Sequence, residues 1–470
     1  MSLPVSVSGG SDDTATRVAP VRAERLIVFA RFPEAGQAKT RLIAALGADR
    51  AARLQESLTR RTLETARRLG ADRACDLEVR FSGGDIDRMS RLYGTQWRFV
   101  PQQGTGLGER LEQSVGAAIG EGAKRVLVIG TDCPEIEAAT LAEAFDALKR
   151  CDLTFGPALD GGYYLIGLNQ SRPEIFRGVD WGTDQVLRQS LERARQLRCK
   201  VQLLRPLSDV DYPEDLLACR RLPAEFSPIL PKTRSGQLSV IVPTLNEART
   251  IEPTLLPLMG RTDIEVIIAD GGSVDETVSI ARRMGCLVVP VRPGRGRQMN
   301  GGAAFASGEG LLFLHADTRL PADFEATIWS ILNQGAAAGA FRLRIEDPRQ
   351  AIRWIEWGAN LRSRILQTPY GDQGLFMRAE LFHQVGGYPH WPLMEDYELC
   401  RRIRRHGKIA LANKSVSTSA RRWNRLGICR TTVMNQFIVA AFHLGVSPER
   451  LARWYSSRKK RPCPKVRQTG

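Results

Sequence analysis

Two apolar runs in this chain stop at an aspartate: "VLVIGTDCP" at 126–134 and "LLFLHADTR" at 311–319. A run apolar at every position, rather than at alternate ones, is the pattern of a parallel strand buried on both faces. A carboxylate just past its carboxyl end stands where open α/β sheets hold their ligands. Asp317-Thr318 ahead of Pro321 equally suits a helix cap. The aspartate is therefore interpretable only with its neighbours.

Those neighbours alternate between strand and helix patterns. "LIVFAR" (26–31) opens the first half and "LSVIVP" (238–243) the second. Helical stretches such as "DRAARLQESLTRRTLETARRLG" (49–70) and "SVDETVSIARRMG" (273–285) follow them. This alternation predicts βαβ units and parallel sheets. A chain of 470 residues is long for one core, so two domains are expected. The Pro- and Ser-rich stretch "LPAEFSPILPKTRSGQLSV" marks the seam. The predicted layout is a disordered leader (1–23), a first α/β domain (24–222), a linker (223–236), a second α/β domain (237–450) and a basic tail (451–470).

Composition narrows the function classes. With 43% hydrophobic and 25% charged residues, the chain is neither disordered nor fibrous. Nine cysteines without a C-x-x-C pair read as reduced cytosolic thiols, and the first twenty residues lack the pattern of a signal peptide. No apolar stretch reaches the roughly 18 to 20 residues that cross a bilayer. Charge is unevenly shared. Residues 1–230 carry 32 Lys+Arg against 31 Asp+Glu, residues 231–470 carry 35 against 20, and residues 400–470 carry 18 against one. No aromatic platform or nucleic-acid motif accompanies these cations, which argues against nucleic acid as partner.

In the second half, "VIVPTLNEARTI", "IEVIIADGGSVDETV" and "LLFLHADTR" place Asn246-Glu247, Asp270 and Asp317 past the ends of successive strands. Such residues converge on one crevice, and carboxylates there supply acceptors for a nucleoside's imide and hydroxyls. Gly271-Gly272 allow close backbone approach. This succession resembles the inverting family 2 glycosyltransferases of the GT-A fold, over essentially all of residues 237–450. The resemblance implies a nucleotide-sugar site at Pro243, Asn246, Glu247, Asp270, Gly271, Arg295, Arg297, Asn300 and His315. It implies a divalent cation, Mg²⁺ or Mn²⁺, on Asp317, with His-Ala-Asp standing for the family's D-x-D. Gly371, Asp372 and Gln373 resemble the loop between donor and acceptor, and Glu395-Asp396 the family's "ED" pair. Asp396 is then the expected base and Glu395 its supporting neighbour. Arg422-Trp423 resemble the end of the processive Q-x-x-R-W signature, but Thr418 and Ser419 occupy the region where glutamine is wanted. That departure favours transfer of a single sugar.

In the first half, "IVFARFPEAGQAKTRL", "GTDCPEI", "GPALDGGYYLIGL" and "LSDVDYPEDLLAC" resemble a nucleotidyltransferase-like (DUF2064-type) glycosyltransferase family of arsenosugar-type pathways. The second half resembles its family 2, diaponeurosporenoate-glycosyltransferase-like companion. The resemblance implies a nucleotide site at Lys39, Arg41 and Asp160, and a metal shared by Asp132 and Asp211. Ala30-Arg31-Phe32-Pro33 replaces the usual glycine-rich start, which leaves three readings of this half: second transferase, nucleotidyltransferase, or binding module without catalysis.

The expected protein is thus a metal-dependent enzyme built as two tandem GT-A/Rossmann-like nucleotide-diphospho-sugar transferase domains, each a mostly parallel sheet flanked by helices. Its expected partners are a nucleotide-sugar donor and a small-molecule or lipid-like acceptor. Residues 425–461 combine an apolar run, Trp454, Tyr455 and many cations, a mix found in membrane-lying helices. They suggest an anionic membrane surface as a further partner and a cytoplasmic enzyme peripheral on the inner face. A terminal helix packed on the sheet is the competing reading of that segment.

Overall fold

The computed structural model describes residues 22–220, Phe226 and 229–457. The predicted leader up to residue 21, most of the linker and the tail from 458 onward lie outside the described residues, as does the side chain of Arg422. Internal packing divides the rest into two compact units. One comprises the described residues up to Ala30 with Thr62–Thr131 and Ile136–Leu207. The other comprises Arg31–Arg61, Asp132–Glu135 and the described residues from Ser208 onward.

The first unit is built on a seven-stranded sheet of order β3-β2-β1-β4-β6-β5-β7. Its strands are β1 (Glu24–Arg31), β2 (Asp76–Ser82), β3 (Arg98–Pro101), β4 (Arg125–Gly130), β5 (Leu153–Pro157), β6 (Tyr163–Leu168) and β7 (Val201–Leu203). β1 pairs parallel to β4, whereas β6 runs antiparallel to both β4 and β5. Ile27, Val126, Val128, Phe155 and Ile166 share one buried cluster on this sheet.

The second unit carries an eight-stranded sheet of order β10-β9-β8-β11-β14-β13-β15-β12. These are β8 (Arg234–Thr244), β9 (Ile264–Asp270), β10 (Leu287–Pro290), β11 (Gly308–Phe313), β12 (Thr318–Arg319), β13 (Ala338–Glu346), β14 (Leu375–Arg378) and β15 (Ile409–Ser419). β10, β9, β8 and β11 are parallel neighbours, and β14 turns antiparallel beside β11. Successive side chains of a strand point to opposite faces. Ile241, Ile267, Leu311 and Phe313 accordingly enter one core, while Val240, Val242, Ile268, Leu312 and Leu314 enter another. Both faces are covered, which is why the runs are apolar throughout. Burying each such side chain contributes about 1.5–3 kcal/mol.

Register then aligns the strand ends. Thr244 lies opposite Asp270, and Phe313 lies opposite Ile241. Chain leaving β8, β9 and β11 therefore emerges on one edge of the sheet. Six helices complete that edge: α1 (Arg295–Ala304), α2 (Gln350–Leu366), α3 (Glu395–Ile403), α4 (Arg421–Leu426), α5 (Ile428–His443) and α6 (Pro448–Ser457).

Candidate active site

A cleft of about 1550 Å³ opens along this edge. Pro243, Glu247, Arg295, His315 and Asp317 line one part of it, and Gly371, Asp372, Glu395 and Asp396 line the middle. The walls beyond are largely apolar, with Leu343, Ile355 and Leu366 on one side and Ile438 and Val439 on the other.

At the strand ends, a network of short bonds shapes the loops. Asp270 is buried and accepts from Thr244 Oγ1 (3.2 Å), Ser273 Oγ (2.5 Å) and the Gly272 and Ser273 N–H groups (both 3.0 Å). Asn246 sits at φ 58°, in the left-handed region that asparagine tolerates. Its Oδ1 accepts from the Val274 N–H (2.9 Å), and its own N–H donates to Ser273 Oγ (2.9 Å). Gln298, which sequence reasoning passed over, donates Nε2 to the carbonyls of Thr244 (2.7 Å) and Ala269 (2.9 Å). A Cβ on Gly271 would lie 3.0 Å from that amide, so glycine lets the loop close on α1.

Glu247 and Asp317 are joined by a cation. Arg421 Nη2, at the start of α4, lies 2.9 Å from Glu247 Oε2 and 3.1 Å from Asp317 Oδ2. The Arg421 N–H groups carry a positive charge to the place where the sequence predicted a metal. The two carboxylates are of the donor type that hard cations take, but among the described residues no cluster of three or more such side chains stands together to hold one.

The middle of the cleft holds the acidic pair. The Gly371 N–H donates to Asp396 Oδ2 at 2.9 Å, while Asp396 Oδ1 is buried without a hydrogen-bond partner. His315 Nε2 lies beside them: a Cβ on Gly371 would come within 2.7 Å of it and 3.0 Å of Asp396 Oδ2. Burial raises the Asp396 carboxyl above its ordinary value, against the opposing pull of Arg295 and the Gly371 N–H. Burial, then the Asp396 charge, push Glu395 up to about 7, with Arg295 opposing. Arg295 Nη1 stands 3.8 Å from Glu395 Oε1. Desolvation disfavours the guanidinium's charge, but Glu395, Asp396, Asp372 and Asp317 outweigh it and raise its pKa.

Several expected contact residues are bonded within the scaffold. Asn300 is buried, donating Nδ2 to the Tyr388 carbonyl (2.8 Å) and accepting the Tyr388 N–H (2.9 Å). Gln373 is buried too, its amide bonded to Phe341 O (3.1 Å), Ser363 Oγ (2.7 Å) and the Tyr370 N–H (3.2 Å). Neither residue is among those that line the cleft. Asn246, Asp270, Gly271 and Arg297 lie outside the cleft lining, where Asn246 and Asp270 hold loops rather than reach into the space. Trp423 both lines the cleft and packs against Leu343, Ile345 and Ile352.

This geometry agrees with what the chain is similar to. Residues 239–383 match the glycosyl transferase family 2 and residues 65–183 match the family described as an uncharacterized protein conserved in bacteria (DUF2064). The chain is a glycosyltransferase. A PGL/p-HBAD biosynthesis glycosyltransferase of Mycobacterium bovis is 28% identical over 211 residues, covering 42% of this chain and 80% of the relative. The glucosyl-3-phosphoglycerate synthase of Mycobacterium tuberculosis is 36% identical over 92 residues, 17% of this chain and 28% of that one. A crystal structure from Desulfovibrio desulfuricans, assigned as a nucleotide-diphospho-sugar transferase, is 32% identical and covers 43% of this chain and 87% of its own, with a TM-score of 0.40.

The glycosyltransferase also carries the cluster predicted from its first half. Lys39 Nζ lies 2.7 Å from Asp132 Oδ1 and 3.1 Å from Asp211 Oδ1, and donates to the Val210 carbonyl at 2.7 Å. An ammonium has three N–H groups, and all three are engaged. Lys39 adopts φ 48°, an unusual conformation for a lysine. Arg41 Nη1 pairs with Asp211 Oδ2 at 2.9 Å. An internal cation thus lies between these two carboxylates, as Arg421 lies between Glu247 and Asp317. Asp160, in the first unit, is exposed and accepts the N–H of Gly162 at 2.8 Å, the bond of a tight turn.

Proposed function

We propose that the cleft moves one sugar, with inversion, from a nucleotide-sugar donor to the hydroxyl of a small or lipid-like acceptor. The observation that carries this reading is Asp396 Oδ1: a buried carboxylate oxygen without a partner, at the wall of an open cleft between cationic and apolar ends. A base that deprotonates an acceptor hydroxyl needs this combination of reach and partial shielding from water. Gly371 holds the other oxygen, so the carboxylate is oriented before the acceptor arrives. Glu395 keeps the local charge negative and Arg295 limits its spread. Asp317 would hold a divalent cation, with Glu247 and His315 nearby in the lining. Such a cation supplies charge neutralisation for the departing diphosphate. Arg421 stands beside the same carboxylates and can turn its guanidinium to phosphate oxygens.

In this reading residues 237–450 form the transferase domain and residues 24–222 a second nucleotide-binding domain. The Lys39 ammonium between Asp132 and Asp211 favours a first domain that binds nucleotide without metal-assisted nucleotidyl transfer. The enzyme works from the cytoplasm, peripheral on the inner face of the membrane. Among the described residues no helix is long and apolar enough to cross a bilayer.

The test uses the full chain and a panel of nucleotide sugars with Mn²⁺. Ligand binding raises the apparent melting temperature in proportion to affinity. Asp396→Asn should keep the donor-induced shift and lose sugar transfer. A variant that transfers at the wild-type rate sinks the assignment of the base. Pyrophosphate release from nucleoside triphosphates by the full chain would overturn the binding-only reading of the first domain.

A further inference from the structure

Helix α2 is apolar on two sides. Its inner side packs Ile352, Ile355 and Ala359 against Leu343, Ile345 and Trp423. Its outer side carries Trp354, Trp357, Leu361 and Ile365, spaced i, i+3, i+7 and i+11, within roughly 80° of arc at 3.6 residues per turn. Trp354 is 73%, Trp357 59% and Ile365 64% exposed. A surface helix of a water-soluble domain presents polar residues there. The same periodicity puts Arg353 and Arg364 along one edge of the stripe and Arg362 along the other.

Helix α5, which touches α2, repeats the pattern: Val433, Phe437 and Leu444 are exposed. Phe437 meets the exposed Trp454 of α6, ring centroids 5.8 Å apart. Both α2 and α5 wall the apolar part of the cleft, through Trp354 and Ile355 on one and Ile438 and Val439 on the other. Beyond α6 the sequence continues Arg458-Lys459-Lys460-Arg461.

We propose that the Trp354–Ile365 stripe of α2, with the exposed residues of α5 beside it, docks the enzyme on an anionic lipid bilayer, from which the cleft receives its acceptor. The proposal rests on the lipid-like acceptor of the reading above. Charge complementarity selects this occupant. Arg364 borders the stripe, whereas Arg353 is paired with Glu356 and Arg362 is turned to Thr368 and the Tyr370 ring. The wider supply of cations is residues 400–470, with 18 basic residues against one acid. Tryptophan settles at headgroup level, and arginine stems lie along apolar surface while their guanidinium groups reach phosphate. A helix of this kind lies in the interface plane, which places the cleft mouth at the membrane surface. A second copy of the chain would meet the same cations with its own, which disfavours it as the partner of this face.

Co-sedimentation of the full chain with vesicles decides the matter, using phosphatidylcholine alone and phosphatidylcholine with 30% phosphatidylglycerol. The expected result is binding to the anionic vesicles that weakens as salt rises. Trp357→Asp combined with Ile365→Glu, both outside the cleft lining, should lower the partition coefficient about tenfold or more. The same variant should keep the donor-induced thermal shift, which shows that it folds. Undiminished binding by that variant, equal binding to neutral vesicles, or no binding by the wild type overturns the proposal. So does a wild-type dimer that the variant converts to monomer without vesicle binding. If vesicle binding fails while Asp396→Asn still abolishes transfer to a water-soluble acceptor, the docking surface falls and the transferase reading stands.

Discussion

Asp396 and Gly371 share one hydrogen bond, 2.9 Å from the glycine N–H to Oδ2, and it holds one carboxylate oxygen while Oδ1 stays buried without a hydrogen-bond partner. The backbone reaches that close because position 371 has no Cβ. A methyl there would stand 3.0 Å from Oδ2 and 2.7 Å from His315 Nε2. Gly371→Ala should therefore shift the base without removing it. The expected outcome is a fall in kcat of about 10²-fold, as misplacement of a reacting group brings, with the donor-induced thermal shift retained. A variant with unchanged kcat would show that the close approach is incidental.

The acidic pair also predicts a pH profile. Burial raises both carboxyls, and the Asp396 charge adds to the rise of Glu395 to about 7, so the pair retains a proton near neutrality. Transfer rate should climb as pH rises through about 7, where that proton leaves. Glu395→Gln removes the like charge and should move the rising limb to lower pH. The stability sign is opposite. A carboxyl whose folded pKa is raised binds protons more tightly when folded, so its favourable contribution is present at low pH. That contribution fades as pH climbs from the unfolded value to about 7. Denaturation midpoints at pH 5 and 8, compared between wild type and Glu395→Gln, check this.

Arg421 competes with any divalent cation for Glu247 and Asp317. Arg421→Gln should tighten Mn²⁺ binding in the absence of donor by about two- to fivefold, the scale of a half-exposed ion pair. It should weaken donor binding, because the same guanidinium is placed to meet the diphosphate. Electron paramagnetic resonance titration of Mn²⁺ reads the first effect, and the donor KM reads the second. Asp317→Asn should abolish metal-dependent transfer; retained turnover would reduce Asp317 to a cap.

Lys39 makes the converse prediction. Lys39→Met leaves Asp132 and Asp211 facing each other without their shared cation. Asp132 is about half exposed, so solvent screens part of the loss, and the expected destabilisation is about 1–3 kcal/mol in urea unfolding. Asp211 is desolvated, yet Lys39 and then Arg41 hold its carboxyl below the usual value. Its contribution is therefore present above the unfolded pKa and lost as pH falls through the lower folded one. The variant should lose this acid-side dependence. Midpoints that match wild type at both neutral and acid pH would refute the pairing.

Periodicity and strand-end residues carry the topology of this protein at the level of sequence. "LSVIVP", "IEVIIAD" and "LLFLHAD" are mostly apolar because both faces of their sheet are buried, the pattern of strands that run parallel to one another, as these three do. Their ends must then share one edge, so the placing of Glu247 and Asp317 beside one cleft was legible in the sequence. What the linear pattern does not contain is where each polar atom finds its partner. Asn300 and Gln373 look like ligand contacts in a motif, yet each is turned inward to bind backbone from a distant segment. Lys39, Asp132 and Asp211 look like a phosphate loop and a metal pair, yet they satisfy one another across 172 residues. Arg421 reaches Glu247 across 174. Such pairings depend on the placement of side chains to within an ångström, because hydrogen bonds weaken steeply beyond that range. The exposed stripe of α2 belongs to the same class: its spacing is periodic in the sequence, but only the packed fold decides which of its two apolar sides meets the core.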